Sequence, residues 1–503
     1  YLNQSQRVGA FQAVGGSQTA SSTYTPVDNG APTDIGPPDL ENPSFRSNIN
    51  PISDRDFEVL NLKLDVNFDN FDLSVMGATK ERKRFLYWDA SLWIGLYDDV
   101  TTSLVRRSDD FDANTFEVRL VSNSDGPIEW IAGLWYEKED GNTFSFATIE
   151  TSRTDLVIFG QPAANLSNGN FVNNFDEFDD QKELAIYGEM GYRLSDKAKL
   201  TLGYRRADIE LDSGITRADG VFDGGRRATI AANVDEYTQE DVNTYKVNFE
   251  YAVHDDLLFY ALASSGYRAG GFNRGGFFAT ATSPYKSDSL WNYEVGMRSA
   301  WLENRLTTNV VAYYIDWTDI QLRTYDVTTL SERRLNAGKA EIFGLETEIR
   351  YQATDSLHLS LNYAYTDASL AEDLPGPGGT VVSEDGATLP GSSKNTFSLL
   401  VDWQMTLTDN LDLQANASYV YASSRSPSLI TGDITGGFPD VPSSDFVNLS
   451  AGVSHNNGVT VSLFANNLLD DRNIQFQNGH GTVLEAAVMN RPRTIGLRAG
   501  YSF

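Results

Sequence analysis

The chain has 503 residues, and its 69 acidic side chains outnumber its 39 Lys and Arg side chains, which gives a formal charge of −30. This charge excludes a nucleic-acid-binding protein that relies on a basic face. The sequence contains no cysteine, which excludes disulfides and cysteine-based metal sites or nucleophiles. No stretch approaches the roughly 18 consecutive apolar residues of a membrane-spanning helix, so a helical membrane protein is excluded as well.

Apolar and polar residues alternate along many segments, which predicts strands with one apolar face and one polar face. Tyr245, Val247 and Phe249, for example, alternate with Lys246 and Asn248. In chain order, the clearest segments are 57–66, 245–253, 357–365, 411–421 and 495–503.

The connections between these strands favour a transmembrane barrel over a soluble sandwich. We count about 17 candidate strands of about 8 to 13 residues, a length suited to a tilted bilayer crossing. Short turns such as 67–70, 254–256 and 455–458 alternate with long connections such as 139–180 and 467–490. Outer-membrane barrels place tight turns on the periplasmic rim and long loops outside. The sequence therefore predicts an all-β fold, a transmembrane antiparallel β-barrel.

The chain direction follows if Phe503 lies at the periplasmic rim. Every long connection is then extracellular, and the first clear strand, 57–66, descends towards the periplasm. A barrel of this type closes with an even number of strands. We therefore expect residues 1–56 to be the remnant of an upstream strand with a long extracellular loop, and residues 57–503 to form the barrel.

Three segments carry a family resemblance. Residues 264–273 (SSGYRAGGFN), 464–472 (FANNLLDDR) and 491–503 (RPRTIGLRAGYSF) strongly resemble, in this order, the signatures of TonB-dependent outer-membrane receptors. The resemblance assigns a structural role to Gly266, Tyr267, Gly270, Gly271, Phe272, Asn466, Leu468 and Asp470. It also implies that Tyr501 and Phe503 form the terminal signal that the assembly machinery reads.

The resemblance implies a 22-stranded barrel in the intact protein, preceded by a plug domain that the present chain lacks. It further implies a Gram-negative outer-membrane importer of a bulky nutrient, most often a ferric siderophore, driven by the inner-membrane transducer TonB through a missing N-terminal segment. Outer-membrane lipid and lipopolysaccharide would surround it. Two alternatives are a passive plugless porin and a barrel that anchors a surface partner such as a lipoprotein.

Candidate ligand contacts lie near the predicted extracellular mouth. Arg268, Asn273, Arg274 and Arg323 offer donors for an anionic chelate, since a guanidinium suits carboxylate or catecholate oxygens. Arg268 belongs to the family-wide signature, so a structural role is favoured for it over a substrate-specific one. His480 is the one histidine in a predicted extracellular loop.

Other chemistry has little support in the sequence. His254, His358 and His455 have no partner at metal-ligand spacing, which argues against a metal site. The acidic runs 109–112 and 176–180 are interpreted as solvated loop charge, with divalent bridging to lipopolysaccharide as the alternative. No Gly-x-Ser-x-Gly motif or Ser/His/Asp set is present, so we expect neither an enzyme nor a cofactor.

The terminal strand supplies a first testable prediction. Serine at both Tyr501 and Phe503 should impair assembly, because it removes the aromatic side chains of the implied signal. Heat-modifiable migration in electrophoresis measures the folded fraction. Normal migration of this variant would refute the assignment of the terminal strand.

Overall fold

A computed structural model describes residues 52–89, 101–123, 126–151, 157–158, 161–162, 171–219, 221–223, 226–228, 234–273, 283–326, 331–336, 338–375, 381–426, 429, 440–480 and 483–502. Strands account for nearly all of the regular structure in these ranges. Within them, no helix is long and apolar enough to cross a membrane.

The first strands are β1 (Ile52–Asn67), β2 (Phe71–Asp89), β3 (Thr101–Ser122), β4 (Ile128–Thr151), β5 (Val157–Ile158), β6 (Gln161–Pro162), β7 (Phe171–Ser195), β8 (Ala198–Asp219), β9 (Val221–Asp223) and β10 (Arg226–Ala228). They are followed by β11 (Val234–His254), β12 (Leu257–Arg268), β13 (Gly271–Asn273), β14 (Ser283–Tyr285), β15 (Asp288–Trp301), β16 (Leu306–Thr318), β17 (Gln321–Asp326), β18 (Ser331–Asn336), β19 (Lys339–Thr354) and β20 (Leu357–Leu370). The last are β21 (Leu374–Pro375), β22 (Val381–Ser383), β23 (Asn395–Thr408), β24 (Leu411–Ala422), β25 (Ser444–His455), β26 (Val459–Asn466), β27 (Ile474–His480), β28 (Val483–Met489) and β29 (Thr494–Tyr501).

One 17-stranded sheet forms the wall of the molecule. Its strands pair antiparallel in chain order, β1-β2-β3-β4-β7-β8-β11-β12-β15-β16-β19-β20-β23-β24-β25-β26-β29. The other twelve strands form six small hairpins in the long connections. The predicted all-β antiparallel architecture is thus confirmed.

Several strands extend well beyond their predicted ends. β4 has 24 residues and β7 has 25, so much of the predicted connection 139–180 is strand. β1 begins at Ile52, five positions before the predicted start of the first strand. The sequence pattern missed these extensions because a strand outside the bilayer has no lipid-facing side, and the apolar alternation therefore ends before the strand does.

The two faces of the sheet differ as the alternation predicts. On the outer face, Val247 is 44% exposed and Leu463 is 62% exposed, which suits a surface covered by hydrocarbon. On the inner face, Lys246 Nζ lies 3.0 Å from a carboxylate oxygen of Glu189, two strands away. Apolar groups outside and ion pairs inside are the reverse of a soluble barrel.

Aromatic rings form a row across the outer face. Tyr204, Tyr245, Trp291, Tyr293 and Tyr314 follow one another across β8, β11, β15 and β16, with successive ring centroids 5.5, 6.3, 6.1 and 6.5 Å apart. Tyr and Trp favour the boundary between hydrocarbon and headgroups, because the ring is apolar and its edge can donate a hydrogen bond. The row therefore indicates one edge of the apolar belt.

Candidate extracellular ligand site

The signature segment separates from β11 while it stays paired with β15 as far as Arg268, and its end packs on the inner face of the wall. β12 pairs with β11 only as far as Ser264, while β11 continues upward beside β8. Beyond that point Tyr267, Ala269 and Phe272 pack against a buried cluster on β7 and β8, formed by Ala185, Ala207, Ile209 and Leu211. The long connection after β12 is therefore held inside the barrel mouth.

Two glycines permit this close approach. A Cβ atom at Gly270 would lie 2.5 Å from the backbone oxygen of Tyr285, and one at Gly271 would lie 2.4 Å from the Tyr285 hydroxyl oxygen. The first contact is with backbone, which a side-chain rotation cannot relieve. The Gly-Gly pair thus lets β13 pack tightly against β14.

Gly270→Ala should therefore loosen the β13–β14 hairpin. We expect a cost of about 1–3 kcal/mol from the steric overlap, seen as faster amide exchange in β13 and β14 of the full-length receptor. Gly266→Ala is the matched control, because its Cβ would meet only the Leu290 side chain at 3.7 Å. Equal exchange rates in both variants would refute the packing argument.

Arg268 is engaged by a buried carboxylate. Its Nε lies 2.9 Å from Oδ2 of Asp288, and the Asp288 side chain is only 1% exposed. The guanidinium also stacks over the Trp317 ring, 4.6 Å from the centroid. The backbone N–H of Gln321 donates to the same carboxylate at 3.1 Å. Arg268 therefore links the end of β12 to the next extracellular connection.

Side-chain hydrogen bonds join two hairpins into one unit, which we call the loop platform (β13–β14 and β17–β18). Asn273 is 7% exposed, donates to the Arg334 carbonyl at 2.7 Å and accepts from the Arg334 amide at 2.6 Å. Asn336 forms the same reciprocal pair with the backbone of Lys286, at 2.7 and 2.8 Å. Gln321 Nε2 donates to the Ala269 carbonyl at 2.8 Å. Asn273 is thus bound to protein backbone.

A cavity of about 370 Å³ lies between the loop platform and the inner wall. On the platform side it is lined by Gly270, Gly271, Phe272 and Tyr285. On the wall side, its charged lining residues include Arg82, Arg84, Arg107, Asp109, Glu139 and Asp179. The cavity therefore offers donors, acceptors and aromatic rings to one ligand.

Sequence analysis missed the wall side of this cavity, and it wrongly placed two acidic runs in loops. Both runs lie in strands, and Asp109 is only 7% exposed, whereas Asp110, Asp112 and Asp179 are exposed to solvent as expected. Alternating arginines at Arg82 and Arg84 were the available signal. These arginines were not recognised as strand residues because this part of the strand has no apolar face, so the two-residue alternation of apolar and polar residues is absent.

The second signature holds together the connection between β26 and β29, the last two strands of the sheet. Asn467 adopts a positive φ of 49° and is 5% exposed, and its side-chain amide donates to the Asp471 and Arg491 carbonyls, each at 2.9 Å. The Asp470 carboxylate accepts from the Arg493 amide at 2.9 Å. This backbone bond, with help from Arg472, lowers the pKa of Asp470 below its usual value. The turn thereby joins β26 to β29.

The remaining nominated residues occupy varied positions. Gly266 lies in β12, Asn466 ends β26, and the Leu468 amide donates to the Val447 carbonyl at 2.8 Å. Tyr501 ends β29 and is 66% exposed. Arg323 lies in β17 and His480 lies in β27, where the structure describes the backbone only. Arg274 and Phe503 lie outside the described residues. The proposed ligand roles of these residues stay predictions.

Metal chemistry has no support in the described ranges, where no group of three or more His, Cys, Asp or Glu residues could hold an ion.

A family model described as TonB dependent receptor-like, beta-barrel, matches residues 3–468. The chain belongs to the TonB-dependent receptor family. The family and its solved relatives are receptors or transporters rather than enzymes.

Solved structures share the fold at low sequence identity. The ferric yersiniabactin uptake receptor FyuA from Yersinia pestis has a TM-score of 0.71 at 16% identity, over 92% of this chain and 63% of that one. The siderophore receptor PiuA from Acinetobacter baumannii has a TM-score of 0.67 at 16% identity, over 90% and 65%. The ferric-catecholate import receptor Fiu from E. coli has a TM-score of 0.67 at 16% identity, over 99% of this chain and 71% of that one. This receptor chain thus spans about two thirds of the length of these structures.

Proposed function

We propose that the chain is the barrel of a Gram-negative outer-membrane, TonB-dependent importer of a bulky nutrient, most plausibly a ferric siderophore. One observation carries the proposal. The wall is apolar outside and charged inside, and its mouth holds a cavity roofed by the signature segment. A conduit through a membrane needs a wall that is apolar outside and polar inside. Selective capture of a ligand needs a cavity at the mouth.

The family and the charged inner wall support the presence of a plug. On that wall Lys246 Nζ lies 3.0 Å from a carboxylate oxygen of Glu189. A polar plug domain supplied by an N-terminal segment would cover such groups. TonB would then pull on that segment to open a path, since release from a plugged lumen must be driven.

The substrate class rests on the relatives. FyuA, PiuA and Fiu are named for ferric yersiniabactin, siderophores and ferric catecholates, which supports an iron chelate as cargo. Among the nominated residues, Arg274, Arg323 and His480 stay candidate contacts. Arg268 is bound by Asp288 on β15, and Asn273 is bound by Arg334 in the loop platform, so we assign both first to structural roles. Lipopolysaccharide and a surface lipoprotein stay proposed partners.

Uptake of ⁵⁵Fe tests the proposal directly. The full-length receptor would be expressed in a strain without other iron-chelate receptors and supplied with ⁵⁵Fe complexes of citrate, hydroxamates and catecholates. We expect uptake of at least one complex that stops when TonB is deleted. Uptake that persists without TonB would favour the plugless porin, and no uptake of any complex would overturn iron-chelate import.

A further inference from the structure

Two of the three cavity arginines share one carboxylate. Arg84 Nε and Arg107 Nε each lie 2.7 Å from one oxygen of the Asp109 carboxylate, and Thr143 donates to the same carboxylate at 2.9 Å. Asp109 is 7% exposed, while the Arg84 and Arg107 side chains are 31% and 37% exposed. Charge-assisted bonds of this kind hold both guanidiniums in place. Arg84 and Arg107 are therefore positioned by Asp109, and part of their donor capacity is already used.

Arg82 differs from both of them. Its side chain is exposed, and its guanidinium stacks on the Phe111 ring, 4.8 Å from the centroid. Among the ion pairs and hydrogen bonds of the described residues, none uses the Arg82 guanidinium. Stacking on an aromatic ring fixes the plane of a guanidinium and leaves its in-plane N–H donors available. Arg82 is thus a preoriented guanidinium at the cavity wall, with the Glu139 carboxylate close enough to interact with it electrostatically but not hydrogen-bonded to it.

We propose that Arg82, stacked on Phe111, is a specificity-determining residue that binds one planar anionic group of the ligand, such as a carboxylate, hydroxamate or catecholate. A planar fork pairs with two oxygens of such a group. Phe272 and Tyr285 line the same cavity and provide apolar surface for an attached ring. Several further carboxylates line it, those of Asp110, Glu139, Asp179, Asp180 and Asp212. Like charges repel, so the cavity favours a single anionic group over a polyanion. The inference rests on the proposed uptake function for its biological role.

Benzoate and benzamide test the anion site in the full-length receptor. The two probes share a ring and a planar head group, but only benzoate is charged. We expect saturable benzoate binding in a saturation-transfer NMR titration, at least tenfold tighter than benzamide binding. Arg82→Gln should remove this preference, because glutamine keeps polarity without the charge or the fork.

Arg106→Gln is the matched control. Arg106 is also exposed and stacks on a phenylalanine, Phe85, at 5.2 Å, but its strand position places it on the opposite face of β2 and β3. This variant should bind benzoate like the unaltered receptor. A preference that survives Arg82→Gln, or that is lost equally in Arg106→Gln, would overturn the proposal, as would a receptor that binds benzoate no better than benzamide.

The ⁵⁵Fe uptake assay separates this inference from the proposed function. Normal uptake with unchanged affinity in Arg82→Gln would overturn the role of Arg82 in recognition and leave import intact. A receptor that binds benzoate through Arg82 but imports no iron complex would instead overturn iron-chelate import. Arg82→Gln could lose both the benzoate preference and tight chelate binding while Arg106→Gln keeps them. This result would support the role of Arg82 in recognition and iron-chelate import together.

Discussion

Arginine at Ala415 is expected to destabilise the barrel by about 2 to 4 kcal/mol, the cost of a charge on the lipid face near the bilayer midplane. Ala415 pairs with Trp403 on β23 and Ala451 on β25, so all three side chains lie on the same face of the sheet. That face continues to Leu463, which pairs with Ala451 and is 62% exposed. Chemical unfolding of the full-length receptor refolded into lipid vesicles would measure the loss.

Gln414→Arg is the control for this change. Gln414 is the next residue along β24, so its side chain points to the inner face. On that face, Asn416 already bonds to Asp402, and an added cation meets polar groups and water. We expect this variant to lie within about 0.5 kcal/mol of the unaltered receptor. Equal loss of stability in the two variants would contradict the assigned facing.

Alanine at Arg268 should unfold the loop platform locally while the barrel wall stays intact. Removal of one partner of a buried ion pair leaves an uncompensated charge, and the full cost is about 3–5 kcal/mol. Arg268 is about half exposed, and Asp288 keeps two backbone donors. We therefore expect about 1–3 kcal/mol, measured as lost amide protection in β17 and β18.

A second substitution distinguishes this structural role from a direct role in ligand binding. Asp288→Asn combined with Arg268→Ala removes the buried charge and should restore part of the amide protection. A purely ligand-binding Arg268 would give normal protection in the single variant. Unchanged protection in Arg268→Ala would therefore overturn the structural role.

The candidate site was only partly predictable from sequence. The signature led to Gly270, Gly271 and Phe272, and all three line the cavity. Arg268 and Asn273 were nominated as ligand contacts, but each has a distant protein partner. Asp288 lies 20 residues from Arg268, and Arg334 lies 61 residues from Asn273. Sequence spacing carries no information on such partners, because two separate connections meet only after the sheet has formed.

The sequence by itself determined the architecture of the wall. Lipid on one side and water on the other impose a two-residue alternation, and this signal survives in any one strand, such as 245–253, without knowledge of its neighbours. Only the tertiary structure decided how the end of β12 packs on the inner wall, which arginines Asp109 binds, and that Arg82 stacks on Phe111 instead. These outcomes depend on the register between strands and on contacts between distant loops, which no local pattern encodes.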